Sequence, residues 1–103
     1  MVLLRGAVLE ANVTPKLSSS EGGLVTFVYV LQSEIDPEAY YTGLTSDVTR
    51  RLDEHNNGHS IHTNKYRPWK LAVPVGFADP AKAAKFETYL KSGSGRAFAK
   101  RHF

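Results

Sequence analysis

The sequence predicts one small mixed α/β domain, and three observations lead there. Phe27-Val28-Tyr29-Val30-Leu31 and Tyr40-Tyr41-Thr42-Gly43 are short runs of aromatic and β-branched residues flanked by turn formers, which fit a pleated, half-buried surface. Two later stretches repeat their apolar residues at helical spacing between start and stop signals. A length of 103 residues suffices for a single core and is too short for two domains.

Residues 1–23 read as a flexible lead-in ending in Ser18-Ser19-Ser20-Glu21-Gly22-Gly23, a linker composition, so the folded domain is expected over residues 24–103. Between the first two strands, Ser33, Asp36 and Pro37 mark a connection too short for a crossover helix. An antiparallel hairpin follows, with Tyr29 and Tyr41 on neighbouring strands. Next, Ser46 is the expected N-cap of a helix, Asp47 suits the positive end of its dipole, and Asn57-Gly58 supplies a left-handed stop. On that helix Arg51, Leu52 and His55 fall in the same stripe as Val48, while Arg50 points the opposite way. A guanidinium and an imidazole are thereby aimed at the sheet.

His59 to Lys70 reads as a loop in which basic and aromatic residues alternate, a mixture suited to phosphates and bases. Its His59/His62 pair is a poor metal site, with no carboxylate or cysteine nearby in sequence. Leu71 to Phe77 is a third strand, and Pro74 places it at an edge or beside a bulge. Asp79-Pro80 opens a helix that runs to Lys91. Glu87 lies inside its stripe of Ala83, Phe86 and Leu90, where a carboxylate is costly unless protonated, paired with a cation or bound to a metal. Ser92-Gly93-Ser94-Gly95 breaks the chain, and Arg96 to Phe103 forms a short basic helix that can dock through Phe98.

Apolar residues at 42% and charged residues at 22% are ordinary globular values. The absence of cysteine excludes a disulfide framework and any thiolate metal site. No run approaches the roughly 18 apolar residues of a membrane span, and Arg5 and Glu10 spoil a secretory signal, so no membrane partner and a cytoplasmic location are expected. Charge is unevenly placed: residues 1–58 hold four Lys/Arg against eight Asp/Glu, residues 59–103 nine against two. The second half is therefore the surface for a polyanion.

Four elements thus offer unusual inward groups: Tyr29, Tyr41, Arg51 with His55, and Glu87. Together they suit phosphodiester hydrolysis, in which a carboxylate holds a divalent cation, phenol and imidazole handle protons, and a guanidinium stabilises the pentacovalent phosphate. Ligation by one carboxylate, waters and substrate phosphate favours Mg²⁺ or Mn²⁺ over Zn²⁺.

In their order and spacing these residues resemble the GIY-YIG nuclease superfamily, and within it the small stand-alone, single-domain bacterial type. Val28-Tyr29-Val30 stands at the first motif and Tyr41-Thr42-Gly43 at the second; Arg51 and His55 follow at the helix positions, and Glu87 at the metal-binding glutamate. Thr63 to Leu71, with Pro-Trp-Lys-Leu at its end, resembles the basic loop of the stand-alone members. Two positions depart from the pattern: Val28 replaces the first motif's glycine, and Leu44 stands where excision-repair relatives carry a lysine.

The resemblance implies a compact three-stranded, mainly antiparallel sheet flanked by helices, and a divalent-metal-dependent endonuclease acting on nucleic acid, DNA above all. The separate DNA-binding domain of the homing members has no counterpart here, so little sequence specificity is expected. Glu87 would hold Mg²⁺ or Mn²⁺ on the leaving-group side, and Tyr41 would orient or deprotonate the attacking water, with His55 as the alternative base. Tyr29 would support it by hydrogen bonding, and Arg51 would stabilise the transition state. Lys65, Arg67, Lys70, Arg96 and Lys100 would position the nucleic acid backbone. Tyr41, Arg51 and Glu87 are expected to converge on one cleft. A monomer or homodimer is expected, with a protein partner supplying substrate specificity. The other function compatible with the same fold is a non-catalytic nucleic-acid-binding or repair-complex interaction module.

Overall fold

β1 (Thr26–Ser33) runs through the middle of a three-stranded sheet, between β2 (Tyr40–Thr45) on one side and β3 (Trp69–Phe77) on the other, antiparallel to both. The structure, a computed structural model, describes residues 25–103; the lead-in over residues 1–23 lies outside them. Burial explains why β1 is almost wholly apolar. Alternate side chains of a strand point to opposite faces, and here both faces are covered. Phe27, Tyr29 and Leu31 pack with Val48 and Trp69 on one face. Val28 and Val30 pack with Val73, Ala83 and Leu90 on the other.

The first face is closed by helix α1 (Val48–Asn56), the second by α2 (Pro80–Lys91) and α3 (Gly93–His102). This is the three-stranded antiparallel sheet flanked by helices that the resemblance implies. As expected of a strand that tolerates Pro74, β3 is an edge strand; its register with β1 slips between Val30 and Leu31, so Ala72 bulges out of the ladder. Phe98 docks as foreseen, against the cluster on the second face. Among the described residues no helix is long and apolar enough to cross a membrane.

Three boundaries differ from the sequence reading. The N-cap of α1 is Asp47, not Ser46: its backbone is extended and its carboxylate accepts from the Arg50 amide at 3.0 Å, while the Thr45 hydroxyl accepts from Asp47 N. The third strand begins at Trp69, not Leu71. Asn56 holds it there, its Oδ1 accepting from Trp69 N at 2.6 Å and its Nδ2 donating to Trp69 O at 2.9 Å. Trp69 is therefore buried core and not a surface for stacking bases. The loop before it contains a single 3₁₀ turn, Asn64–Tyr66.

The last helix also starts earlier, at Gly93 and not Arg96, because Ser92 caps it by accepting from Gly95 N at 3.1 Å. Gly95 in this first turn serves close packing, not a break: a Cβ there would lie 1.7 Å from the Tyr89 carbonyl oxygen, whereas one on Gly93 would meet nothing. Elsewhere the reading of helix ends holds, with Asp79 capping α2 through Ala81 N, Pro80 opening it, and Gly58 at φ 79° just past α1.

Candidate active site

Tyr29 stands at the centre of β1, fully buried, directly opposite Gly43 of β2. Its ring lies over the Gly43 backbone so closely that a Cβ there would fall 2.6 Å from the phenol oxygen and 2.7 Å from Cζ. Glycine in Tyr41-Thr42-Gly43 is thus explained by the tyrosine of the neighbouring strand, not by a turn. Gly43→Ala is expected to destabilise the fold by about 1–3 kcal/mol, since Tyr29 has no free volume to retreat into. Urea unfolding would show it as a lowered midpoint at an unchanged slope.

From Tyr29 a polar chain crosses to α1. The Tyr29 hydroxyl and His55 Nε2 are 3.0 Å apart, and His55 Nδ1 lies 2.8 Å from the Thr63 hydroxyl. Thr63 in turn accepts at its carbonyl from Trp69 Nε1 at 2.9 Å. All four residues are buried, and buried polar groups are stable when every member is satisfied in this way. Tyr41 packs against the same group, its ring centroid 4.8 Å from that of His55 and 6.2 Å from that of Tyr29.

Burial pushes the Tyr29 phenol above its ordinary pKa, although the neighbouring Arg51 guanidinium pulls the other way. Tyr29 is a neutral phenol in this setting. The same closeness to Tyr29 raises Arg51 above an ordinary guanidinium. Burial first, and then the positive charge of Arg51, holds His55 below the ordinary imidazole range, with Glu54 opposing weakly. His55 is therefore neutral at physiological pH. The unfolded chain, with an ordinary pKa near 6.5, binds a proton that the folded chain refuses. Stability from this group is present above about pH 6.5 and is lost as pH falls below it. Urea midpoints are expected to drop from pH 7 to pH 5, His55 contributing at most about 1.4 kcal/mol per pH unit. In His55→Gln the slope should flatten; equal slopes would remove His55 as the cause.

Arg51, one turn before His55, borders a cavity of about 420 Å³ lined by Tyr41, Glu54, His55, His59, Ser60, Ile61 and His62 as well. Its Nη1 lies 3.5 Å from a Glu54 carboxylate oxygen, a loose pair. Its Nε is buried and has no hydrogen-bond partner among the described residues. An unsatisfied charged donor is expensive to keep, and the rest of the partly exposed side chain presents positive charge to the cavity. As the helical stripe predicted, Arg51 and His55 face the sheet, while Arg50 is mostly exposed.

Glu87 does not line this cavity. It belongs to α2, packed on the opposite face of the sheet, and its half-buried carboxylate is paired with Lys91 Nζ. Lys91 borders a second cavity of about 290 Å³ with Tyr40, Tyr41, Thr42, Leu90 and Arg96. Tyr41 is common to both cavities, whereas Glu87 lines neither and is linked to the second only through Lys91, so Arg51 and Glu87 do not share one cleft. Among the described residues no group of three or more His, Cys, Asp or Glu side chains is gathered for a metal. One accessible carboxylate nonetheless suits Mg²⁺ or Mn²⁺, which keep several waters and rely on substrate phosphates for further ligands.

The five basic residues expected on nucleic acid are all exposed. Arg96 alone among them borders a cavity, and it also donates to the Lys91 carbonyl. Arg67 donates from Nε to Asn64 O and from Nη1 to Asn56 O, so part of its fork holds the loop. Lys65 lies 5.1 Å from the centre of the Tyr66 ring. The sequence reading passed over Thr63, Glu54, Ser60 and Ile61. Thr63 had no periodicity to mark it, being a loop residue eight positions beyond His55.

Comparison with known proteins agrees with this arrangement. Residues 25–101 match the family described as the GIY-YIG catalytic domain. The chain is 37% identical over 70 residues to the structure-specific endonuclease subunit SLX1 of Meyerozyma guilliermondii, covering 62% of this chain and 24% of that protein. It is 40% identical over 65 residues to the subunit slx1 of Talaromyces stipitatus, covering 57% and 17%. To a UPF0213 protein of Streptococcus pneumoniae it is 39% identical over 66 residues, covering 63% and 65%. It thus spans a quarter or less of these two fungal relatives and about two thirds of the bacterial one. With its described length almost wholly matched, the chain belongs to the GIY-YIG catalytic domain family.

Proposed function

We propose that this chain is a divalent-metal-dependent endonuclease that hydrolyses phosphodiester bonds in DNA with little preference for base sequence. The observation that carries the reading is the partly exposed Arg51 guanidinium on a cavity shared with Tyr41. A phosphate there would pair with it, and charge developing on the phosphate oxygens would be met by a fixed cation. Tyr41, partly exposed at the junction of both cavities, orients the attacking water and accepts its proton. The positive charge of Arg51 in the same cavity supports this role. His55 is less suited to be that base, because both its ring nitrogens are engaged and it is buried. It fixes the Tyr29 hydroxyl and packs beneath Tyr41, which makes both positioning residues.

Glu87 would hold Mg²⁺ or Mn²⁺, which when bound would neutralise charge on the leaving oxygen. In the ion's absence Lys91 balances this carboxylate. Lys65, Arg67, Lys70, Arg96 and Lys100 would contact the backbone, so binding weakens steeply with salt. The fungal relatives are named structure-specific and subunits; branched DNA and a partner protein that presents it are therefore included in the proposal.

The test incubates plasmid and flap DNA with the protein in Mg²⁺ or Mn²⁺, beside EDTA and the Glu87→Ala variant. Nicking that requires metal and Glu87 supports the reading. DNA binding without nicking would make the chain a nucleic-acid-binding module of the same fold.

A further inference from the structure

We propose that Ile61 is a wedge for broken base stacking, so that the Arg51 cavity is offered the phosphates beside a branch point or an unpaired end. A single exposed apolar side chain is ordinary on a protein surface. Ile61, however, is 92% exposed, well beyond Ile35 at 60% and Tyr40 at 59%. Two further observations set it apart.

The first is place. Ile61 borders the cavity that holds Arg51 and Tyr41, with His59 and His62 on either side of it in sequence and on the same wall. Imidazole N–H groups and a guanidinium bind phosphate oxygens and carry no base information. Ile61 is the one aliphatic side chain in this lining and gains nothing from phosphate.

The second is support. His59 N donates to Glu54 O at 3.0 Å, and Thr63 N to Ser60 O at 3.3 Å, so both ends of the tip are tied. Thr63 is in turn fixed by His55 and Trp69. The side chain is held out from the same helix and core that place Arg51 and His55. A rigid pedestal spares the ordering cost that a flexible loop would meet on binding.

Apolar side chains of this kind insert between base steps and unstack them, and the penalty is smallest where stacking is already lost. Ile61 would therefore favour a flap, nick or junction over continuous duplex, without reading sequence. This names the substrate class of the endonuclease proposed above and rests on that reading for the cutting step, though not for the contact.

The test measures binding in EDTA, where no cutting is required. A flap substrate and a continuous duplex of the same sequence each carry, at the branch position, a fluorescent adenine analogue that brightens when unstacked. Wild type is expected to bind the flap more tightly and to raise its fluorescence. Ile61→Ser is expected to lower the flap-to-duplex affinity ratio about tenfold and to abolish the rise, whereas Ile61→Phe retains both. A ratio that stays within about twofold in Ile61→Ser, with the fluorescence rise intact, overturns the wedge. Because the readout is binding, a protein that cuts neither substrate still answers the question, and loss of the wedge leaves the nicking result to stand alone.

Discussion

Glu87→Ala is expected to lower the metal-dependent nicking rate by about 10³-fold, since a bound divalent ion supplies several kcal/mol of charge stabilisation in the transition state and each 1.4 kcal/mol or so is tenfold. Stability should hardly change. The Glu87–Lys91 pair is an i,i+4 contact whose lysine side chain is 56% exposed, and such pairs contribute about 0.3–0.5 kcal/mol. The control is Lys91→Met, which breaks the same pair and leaves the carboxylate. If Glu87 serves the metal, Lys91→Met keeps most of its activity and binds Mn²⁺ at least as tightly, because the competing ammonium is gone. If Glu87 matters only as the partner of Lys91, the two variants lose activity alike. Single-turnover nicking rates with a parallel Mn²⁺ titration separate these cases.

Arg51→Ala is expected to lower kcat by about 10²–10³, the range for removing a preorganised donor from a developing oxyanion. KM should move much less, because the proposal gives most of the backbone binding to the exposed basic residues. Arg51→Lys should restore only a fraction, as an ammonium cannot reproduce the planar fork that reaches toward Tyr29 and Glu54. Neither change should unfold the protein, for the group removed includes an unsatisfied donor and only a loose ion pair. An effect on KM alone would reduce Arg51 to a binding residue. Steady-state kinetics on one plasmid at fixed salt checks this.

Much of the fold was legible because its signals are local. Runs of aromatic and β-branched residues marked the strands, helical spacing marked α1 and α2, and the turn residues marked the hairpin. The inward set of Val48, Arg51 and His55 was equally readable, since a helical stripe needs only a periodicity. What the periodicity lacks is the face of the sheet on which a helix lies. Glu87 does fall in the buried stripe of α2, yet α2 covers the second face, and so the carboxylate stands apart from Arg51. Trp69 was misplaced for a related reason. Its strand pairing depends on the Asn56 amide thirteen residues earlier, which no local pattern records. Thr63 depends in the same way on His55, brought close by the closed loop. The caps shifted by one to three residues because Asp47 and Ser92 outcompeted neighbours of similar capping strength.

Tyr29 occupies the middle of the central strand, over Gly43 and against His55, so its ring belongs to the hydrophobic interior as much as to the site. Chemistry and scaffold therefore cannot be altered separately at that position: truncating Tyr29 hollows out the core while it breaks the contact with His55. Anyone wanting a silent form of this protein, to trap DNA uncut or to fish for a partner, should leave the middle strand alone. The safer handles are Glu87 and Arg51, whose removal breaks only an i,i+4 pair and a loose ion pair and leaves the central strand as it is.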